Sequence, residues 1–340
     1  MPARRRRLGV PVLLVAGLAA ALAASPAEAG KRSVTTTVYD TFDGTSGDYA
    51  AKWANPFGIG EMEAEGTRTH DGSTFRASAL PFRTGADFSV FDHIKYLAVS
   101  SQAFAVPEKG SVTFAVTIDA DTVGTEPAGR VISGVYGPPG CADDPACAAG
   151  AEPWEALALE GQQAGATLHM IDFSTGQLFD WFVSGSTAFA LIERLPASVI
   201  GSPAGGTRET MYTQIVREVP VGPGPHRVSI TFFRDAGSSY VDYVIDGKRI
   251  ARVGKIGVPL DVQNVPYTGI YPSLGAGEHL RDDVDSVAIG HGLFSLLDAF
   301  PFQHPDAPEL SVSVPLSERL FGQGAAASFD DMVVTVDDRG

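Results

Sequence analysis

The sequence predicts an all-β sandwich that forms one domain over residues 30–340. Three observations support this prediction. Short runs rich in β-branched and aromatic residues recur along the chain between Gly, Pro and Asp residues, as they do in many-stranded sandwiches. One Asp-Gly pair joins two such runs, which is a strong hairpin signal. Helical periodicity is scarce, and no Ser/Gly-rich linker divides the 340 residues.

Residues 1–29 have the pattern of an export signal. Arg4–Arg7 form a basic start, an apolar stretch follows, and Ala27-Glu28-Ala29 is a small-x-small cleavage pattern. A retained membrane anchor is the weaker alternative, because Gly and Pro interrupt the apolar stretch. We therefore expect a secreted, extracellular protein cleaved after Ala29, by either the general or the twin-arginine route. No later apolar segment is long enough to form a transmembrane anchor.

The net charge and the cysteine content limit which classes of molecule the protein is expected to bind. The formal net charge is -15 at pH 7, and an acidic surface repels phosphate backbones, so the sequence argues against nucleic acid as a partner and suits a neutral or cationic small-molecule ligand, calcium, or simply solubility outside the cell. The chain has two cysteines, Cys141 and Cys147, which we expect to form a disulfide in an oxidising compartment. A zinc pair is the alternative, but no further Cys or His lies at ligand spacing nearby. We expect a monomer.

The strongest local prediction is a hairpin around Asp246-Gly247. A two-residue Asp-Gly loop adopts a type I′ turn with two positive φ angles and joins antiparallel strands. With this turn, Tyr243 opposes Ile250 on the buried face of the sheet, together with Val241. We expect the hairpin to be scaffold, with function carried by other strands and loops.

One short helix is expected near residues 292–300. The segment "GLFSLLDAF" has apolar residues at helical spacing and ends before Pro301. Such a helix between two late strands would act as a lid or plug. His291 and His304 flank it, and their wide separation favours packing or surface roles over a metal site.

Three segments in order along the chain resemble the concanavalin A-like lectin/glucanase superfamily. They are "YDTFDGTSGDYAAKW" (39–53), "YVDYVIDGKRIARV" (240–253) and "SFDDMVVTVDD" (328–338). The middle of the chain, with "HMIDFSTGQLFDWF" and "ALIERLP", is similar to secreted actinobacterial proteins of unknown function. The superfamily resemblance implies a jelly-roll sandwich of two curved antiparallel sheets, whose concave face often binds or cleaves glycans.

Hydrolytic members of that superfamily carry Glu-x-Asp-x-Glu on one strand. Alternate residues of a strand share a face, so two carboxyl groups can act together on a glycosidic bond. The comparable run here is Glu61-Met62-Glu63-Ala64-Glu65. Its centre is Glu instead of Asp and it lies near the N-terminus, so a solvated loop or strand edge is the stronger interpretation.

A second group of candidate residues lies on a predicted hairpin over residues 167–183. With Ser174–Gly176 as a three-residue turn, His169 opposes Trp181, and Met170 opposes Asp180. With this pairing, Asp180 shares a face with Met170 and other apolar residues. Carboxylates on an otherwise apolar face either line a cleft or lie at a sheet edge with hydrogen-bond partners. The candidate catalytic residues are Asp172, Asp180 and Glu193, and the candidate ligand-binding residues are Trp154, His169, Asp172, Asp180 and Trp181. Core packing is the alternative for His169 and both tryptophans.

The resemblance also implies a structural calcium ion between the first and last strands. Asp40 and Asp43 lie at one end of the chain, and Asp330 and Asp331 lie at the other. Carboxylate oxygens are the ligands that Ca²⁺ prefers. Turn aspartates without a metal are the alternative.

These observations leave three functional hypotheses. The first is a non-catalytic secreted protein that binds a glycan or another cell-envelope ligand on its concave sheet. The second is a divergent glycan-active or isomerase-type enzyme that uses the cleft carboxylates. The third is a structural or interaction scaffold whose cleft is filled by side chains. An open groove with paired carboxylates favours the enzyme, and a packed groove favours the scaffold.

Overall fold

The computed structural model describes residues 32–55, 66–83, 93–126, 129–207, 210–235, 238–256, 278–280, 283–296, 311–319 and 321–340. The chain divides into two compact units, Met1–Gly30 and Lys31–Gly340, and every described residue belongs to the second. The predicted export signal and the Glu61–Glu65 run lie outside the described residues.

The described residues are mostly in strands. In chain order these are β1 (Ser33–Asp40), β2 (Trp53–Ala54), β3 (Thr67–His70), β4 (Phe75–Ala79), β5 (Ile94–Ala105), β6 (Gly110–Val123), β7 (Arg130–Tyr136), β8 (Pro153–Ala158), β9 (Gly165–Ile171), β10 (Gln177–Val183), β11 (Thr187–Arg194), β12 (Tyr212–Pro220), β13 (His226–Asp235), β14 (Ser238–Ile245), β15 (Lys248–Val253), β16 (Lys255–Ile256), β17 (Glu278–His279), β18 (Ser286–Phe294), β19 (Val312–Ser313) and β20 (Gly324–Asp338).

Helices are few and short in the described ranges. They are α1 (Ser46–Lys52), α2 (Pro145–Ala148), α3 (Glu160–Gln163) and α4 (Ala197–Ile200), with 3-10 turns at Cys141–Asp143 and Leu316–Glu318. None of them has the length and apolarity that a membrane crossing requires.

Two antiparallel sheets form a sandwich. The eight-stranded sheet has the order β15-β14-β13-β6-β20-β4-β3, with β1 also paired to β20, and the seven-stranded sheet has the order β12-β11-β10-β9-β18-β5-β2. Alternation in β6 shows how the core arises: Val112, Phe114, Val116 and Ile118 are fully buried, whereas the residues between them are partly exposed. The predicted all-β jelly-roll sandwich of two antiparallel sheets is confirmed.

A third layer covers the seven-stranded sheet. Strands β7, β8 and β19 form a three-stranded sheet, here called the covering sheet. Its apolar residues form a second hydrophobic cluster with residues of the seven-stranded sheet, including Leu97, Phe182 and Leu191. Every residue of β9 and β10 is consequently buried. The face of the seven-stranded sheet toward the covering sheet is called the covered face, and the other is called the core face.

The Asp246-Gly247 hairpin is present between β14 and β15. The φ angles of Asp246 and Gly247 are 49° and 76°, as a type I′ turn requires. Val241 and Tyr243 are buried as predicted. A β-bulge between Tyr243 and Val244 pairs Tyr243 with Ala251, so the predicted pairing of Tyr243 with Ile250 is wrong.

The helix predicted near residues 292–300 is also wrong where that segment is described. Gly292–Phe294 are the last residues of β18, and residues 297–300 lie outside the described ranges. Leu293 packs in the sandwich core, and Phe294 packs in the cluster on the covered face. Because both faces of this strand are buried, its sequence shows a continuous apolar run, which periodicity alone does not separate from a helix.

Candidate functional site

The hairpin predicted over residues 167–183 consists of β9 and β10. Asp172 shapes the turn that joins them: its carboxylate accepts hydrogen bonds from the backbone N–H of Ser174 at 2.8 Å and from the hydroxyl of Thr175. Ile171 pairs with Leu178, so the connection includes Phe173 and is longer than the three residues expected. Asp172 therefore acts as a turn residue, although it was predicted as a catalytic and ligand-binding candidate.

The longer turn shifts the strand register by one residue. Asp180 opposes His169, and Trp181 opposes Leu168. The predicted pairing of His169 with Trp181 is therefore wrong, since a shift of one residue moves each side chain to the other face. Trp181 lies on the core face, where its Nε1 donates to the carbonyl of Ser229 at 2.9 Å.

The corrected register places four polar side chains in a row across the covered face. His169 is on β9, Asp180 is on the neighbouring strand β10, and Glu193 is on β11. Thr213 of β12 opposes Glu193 and donates a hydrogen bond from its hydroxyl to Oε1 at 2.7 Å. This polar row, defined as His169, Asp180, Glu193 and Thr213, is buried throughout; Glu193, with 8% of its surface exposed, is its most accessible member.

His169 and Asp180 form a close pair within the polar row. Nδ1 of His169 lies 2.6 Å from Oδ1 of Asp180. Burial raises the pKa of Asp180, and the imidazole of His169 opposes that rise. A carboxylate hydrogen-bonded to Nδ1 fixes the orientation of the ring.

Glu193 has a strongly shifted pKa. Burial raises the pKa of Glu193 to about 8, the charge of Asp180 adds to the rise, and the hydrogen bond from Thr213 opposes it. At neutral pH, Glu193 is therefore mostly protonated and can donate a proton. A buried carboxylic acid beside a hydrogen-bonded histidine–carboxylate pair is an arrangement typical of acid–base sites.

Two buried polar atoms near the pair have no hydrogen-bond partner in the described part of the chain. They are Nε2 of His169 and Oγ1 of Thr167, two positions earlier on the same strand face. Gly290 of β18 opposes His169, and a Cβ atom at that glycine would lie 3.0 Å from the Cβ of His169. Because Gly290 has no side chain, the imidazole of His169 can occupy the space beside it. Unpartnered buried polar atoms are rare in proteins, and they often occur where a side chain has a functional role.

The covering sheet lies over this face. Trp154 of β8 and Ile132 of β7 pack there against the seven-stranded sheet, and Trp154 is buried. Neither tryptophan predicted to contact a ligand therefore has an exposed ring. Cys141 and Cys147 form the predicted disulfide in the β7–β8 connection. The backbone N–H of Ala142 donates to the hydroxyl of Ser313, which joins this connection to β19.

The predicted calcium ligands lie in different environments. The buried carboxylate of Asp40 accepts hydrogen bonds from Nζ of Lys52 at 2.9 Å and Nε1 of Trp53 at 2.7 Å, which does not fit a Ca²⁺ ligand. Burial and the charge of Asp331 raise the pKa of Asp330, and Asp43 adds to the rise. The described residues include no group of three or more His, Cys, Asp or Glu side chains that could hold a metal. Calcium binding stays a prediction.

Sequence reasoning identified three members of the polar row but not their arrangement. Thr213 and Gly290 were missed, because their importance comes from pairing with Glu193 and His169 across strands. The opposite orientation of Glu193 and its neighbour Arg194 follows from strand alternation and could be predicted.

Comparison with known proteins places the chain beside a family without an assigned activity. A model described as a family of unknown function (DUF6081) matches residues 144–338. No curated protein matches the chain.

Solved structures provide distant likenesses. The chain is similar to an endo-1,3-beta-glucanase from Streptomyces sioyaensis at 12% identity and a TM-score of 0.35, over 92% of this chain and 99% of that one. It is similar to a legume lectin-like domain from Entamoeba histolytica at 5% identity and a TM-score of 0.36, over 86% and 92%. A sialidase matches at 8% identity and a TM-score of 0.35 over 87% of this chain, which spans 18% of the sialidase. Likeness at this level assigns neither activity nor ligand.

Proposed function

The chain belongs to the DUF6081 family of unknown function, and we propose that it is a secreted acid–base enzyme acting on a neutral, glycan-type substrate at the polar row. The observation that carries this proposal is the protonated Glu193 beside the His169–Asp180 pair on adjacent strands. A proton donor and an imidazole oriented by a carboxylate are the two components of general acid–base catalysis.

The chemistry follows from the protonation states. Glu193 donates its proton to the departing oxygen of a glycosidic bond as that bond breaks. When Nδ1–H of His169 donates to Asp180, the unpartnered Nε2 can accept a proton from the water that attacks the sugar carbon. His169 and Glu193 are two strands apart and two residues apart along the sheet, which is about 12 Å at the backbone, so the two side chains act from opposite sides of a bound substrate.

The charge of the site selects the substrate class. The polar row contains two carboxyl groups and an imidazole, while Arg194, next to Glu193, faces the other side of the sheet. An anionic ligand would find no compensating cation within the row, and the whole chain has a formal charge of -15. A neutral hydroxylated ligand fits better, and it reaches the row at Glu193, the most exposed member.

Sugar release from laminarin, xylan and chito-oligosaccharides tests the proposal. We expect reducing ends to appear with the wild-type protein, and the rate to fall above about pH 8 as Glu193 ionises. Glu193→Gln should lower the rate by about 10²–10⁴-fold. Glu155→Gln changes an exposed carboxylate of the covering sheet and should have the wild-type rate. Unchanged turnover in the Glu193→Gln protein would contradict the proposal.

A structural role for the polar row is the second candidate. The apolar packing of the covering sheet over the row favours it, because a filled cleft leaves little room for a ligand. In that case none of the three glycan probes is cleaved, and substitutions in the row change the free energy of unfolding alone.

A further inference from the structure

The first strand of the sandwich has a free edge. β1 pairs along one side with β20, and no strand in the described ranges pairs with its other side. Residues Ser33–Val38 are exposed, and Val34 and Val38 each have 55% of their surface in solvent. An unprotected edge presents backbone N–H and C=O groups that can pair with another strand.

β1 also lacks the features that normally protect an edge. From Ser33 to Tyr39 it contains no charged residue and no proline. Its irregularity lies at the far end, between Val38 and Asp40. The exposed part pairs with β20 in regular register from Ser33 to Val38 and is rich in β-branched residues, a type of strand that pairs readily.

The sequence of this edge is complementary to itself. Val34-Thr35-Thr36-Thr37-Val38 reads the same in both directions. If two copies pair antiparallel around a two-fold axis at Thr36, Val34 of each copy opposes Val38 of the other, and Thr36 opposes Thr36. Val–Val and Thr–Thr cross-strand pairs are favourable, and a two-fold axis is the commonest symmetry of protein dimers.

The charges agree with the same register. The paired residues Ser33–Tyr39 carry no charge, and Arg32 forms an ion pair with Asp337 of its own copy, so the register brings no like charges face to face. The seven residues from Ser33 to Tyr39 form seven antiparallel pairs, which make about six to eight backbone hydrogen bonds. Because one strand pair buries less surface than a standard protein interface, we expect dissociation in the micromolar range.

We propose that β1 is an interaction surface for a second copy of this chain, which joins two eight-stranded sheets edge to edge through an antiparallel β1–β1 pair. This dimer replaces the monomer expected from the sequence. The inference is independent of the polar row, which lies on the other sheet.

Sedimentation equilibrium of the protein, expressed from the whole 340-residue chain, tests the dimer. We expect a mass twice that of one chain at high micromolar concentration. Thr36→Lys and Thr36→Glu each place two like charges opposite one another on the two-fold axis, so each variant alone should dimerise at least about tenfold more weakly. An equal mixture of the two variants should recover the dimer, because Lys then opposes Glu.

Val123→Lys is the matched control. Val123 is also β-branched and 45% exposed, but it lies at the end of β6, away from the free edge of β1. This variant should dimerise like the wild type. If Thr36 variants fail the circular-dichroism check for folding, the double variant Val34→Lys/Val38→Lys places like charges opposite one another and should weaken the dimer, whereas Val34→Lys/Val38→Glu places opposite charges there and should keep it. A wild-type protein that remains monomeric, or Thr36→Lys protein that dimerises normally, overturns the proposal.

Discussion

Two buried histidines lie on opposite faces of the same sheet. His169 of β9 opposes Gly290, and the next residue of β18, His291, opposes Leu168. His169 therefore lies on the covered face and His291 lies on the core face, although the two are on neighbouring strands at almost the same height. Their partners among the described residues differ: His169 contacts the carboxylate of Asp180, and His291 contacts the hydroxyl of Tyr49.

The aromatic cage around His291 explains its different chemistry. Its Nε2 lies 2.7 Å from the hydroxyl of Tyr49, and the rings of Trp53 and Phe329 are each centred 4.6 Å from its own. Burial lowers the pKa of His291 to about 3, and the charge of His169 adds to the fall. Burial makes His291 a neutral packing group, whereas the carboxylate of Asp180 holds the ring of His169 in a fixed orientation.

The largest expected effect concerns the acid on the covered face. The pKa of Glu193 is raised from 4.5 to about 8 in the folded protein, so its contribution to stability is complete below about pH 4.5 and is lost as the pH rises to about 8. The loss is about 4–5 kcal/mol. In the wild type and in Glu155→Gln, urea unfolding should show only the part of this loss above about pH 6.5, about 2 kcal/mol, because His291 offsets the rest. It should be absent in Glu193→Gln, whose amide stays neutral; a persistent alkaline loss in that variant would assign the effect to another group.

Removing the carboxylate from the pair is the next largest change. Asp180→Ala leaves His169 buried with neither ring nitrogen bonded, because Nε2 already lacks a partner in the described ranges. We expect a loss of about 3–5 kcal/mol in the free energy of unfolding. Asp242→Ala breaks the ion pair with the partly exposed Arg252 and should cost less than about 1 kcal/mol. Urea unfolding measures both losses. Equal losses in the two variants would show that the buried His169–Asp180 contact stabilises the fold no more than a partly exposed ion pair does.

Features of the fold that arise from local sequence signals could be predicted. Alternating apolar residues and the Asp-Gly turn were enough to predict the sandwich and the β14–β15 hairpin, because both signals are local. Asp180, His169 and Glu193 were also found, since polar residues in apolar runs stand out. Their faces were harder to predict, because one additional turn residue at Phe173 reverses the assignment along β10.

Features that depend on distant pairing could not be predicted. The covering sheet combines β7 and β8 with β19, and no local pattern relates these strands. Its presence buries both faces of β9, β10 and β18. Strands buried on both faces lose the alternation that identifies them, and for this reason Leu293 and Phe294 were assigned to a helix.

The smallest of the three effects isolates the histidine on the core face. Because the pKa of His291 falls from 6.5 to about 3 on folding, its contribution to stability is complete above about pH 6.5 and is lost as the pH falls. By about pH 4.5 the loss is about 3 kcal/mol. Glu193 contributes the opposite slope over this interval, so the two nearly cancel in the wild type. In the Glu193→Gln background, urea unfolding should reveal the acid loss.

Adding His291→Phe to that background should remove the acid loss, because phenylalanine has no proton to bind and fits an aromatic cage. His70→Phe is the matched control: His70 also contacts Tyr49 and Phe75, but the substitution leaves His291 intact and should keep the loss. An acid loss that survives His291→Phe, or one that vanishes with His70→Phe, would show that a group other than His291 takes up the proton on unfolding, and the neutral histidine of the core face would then be disproved.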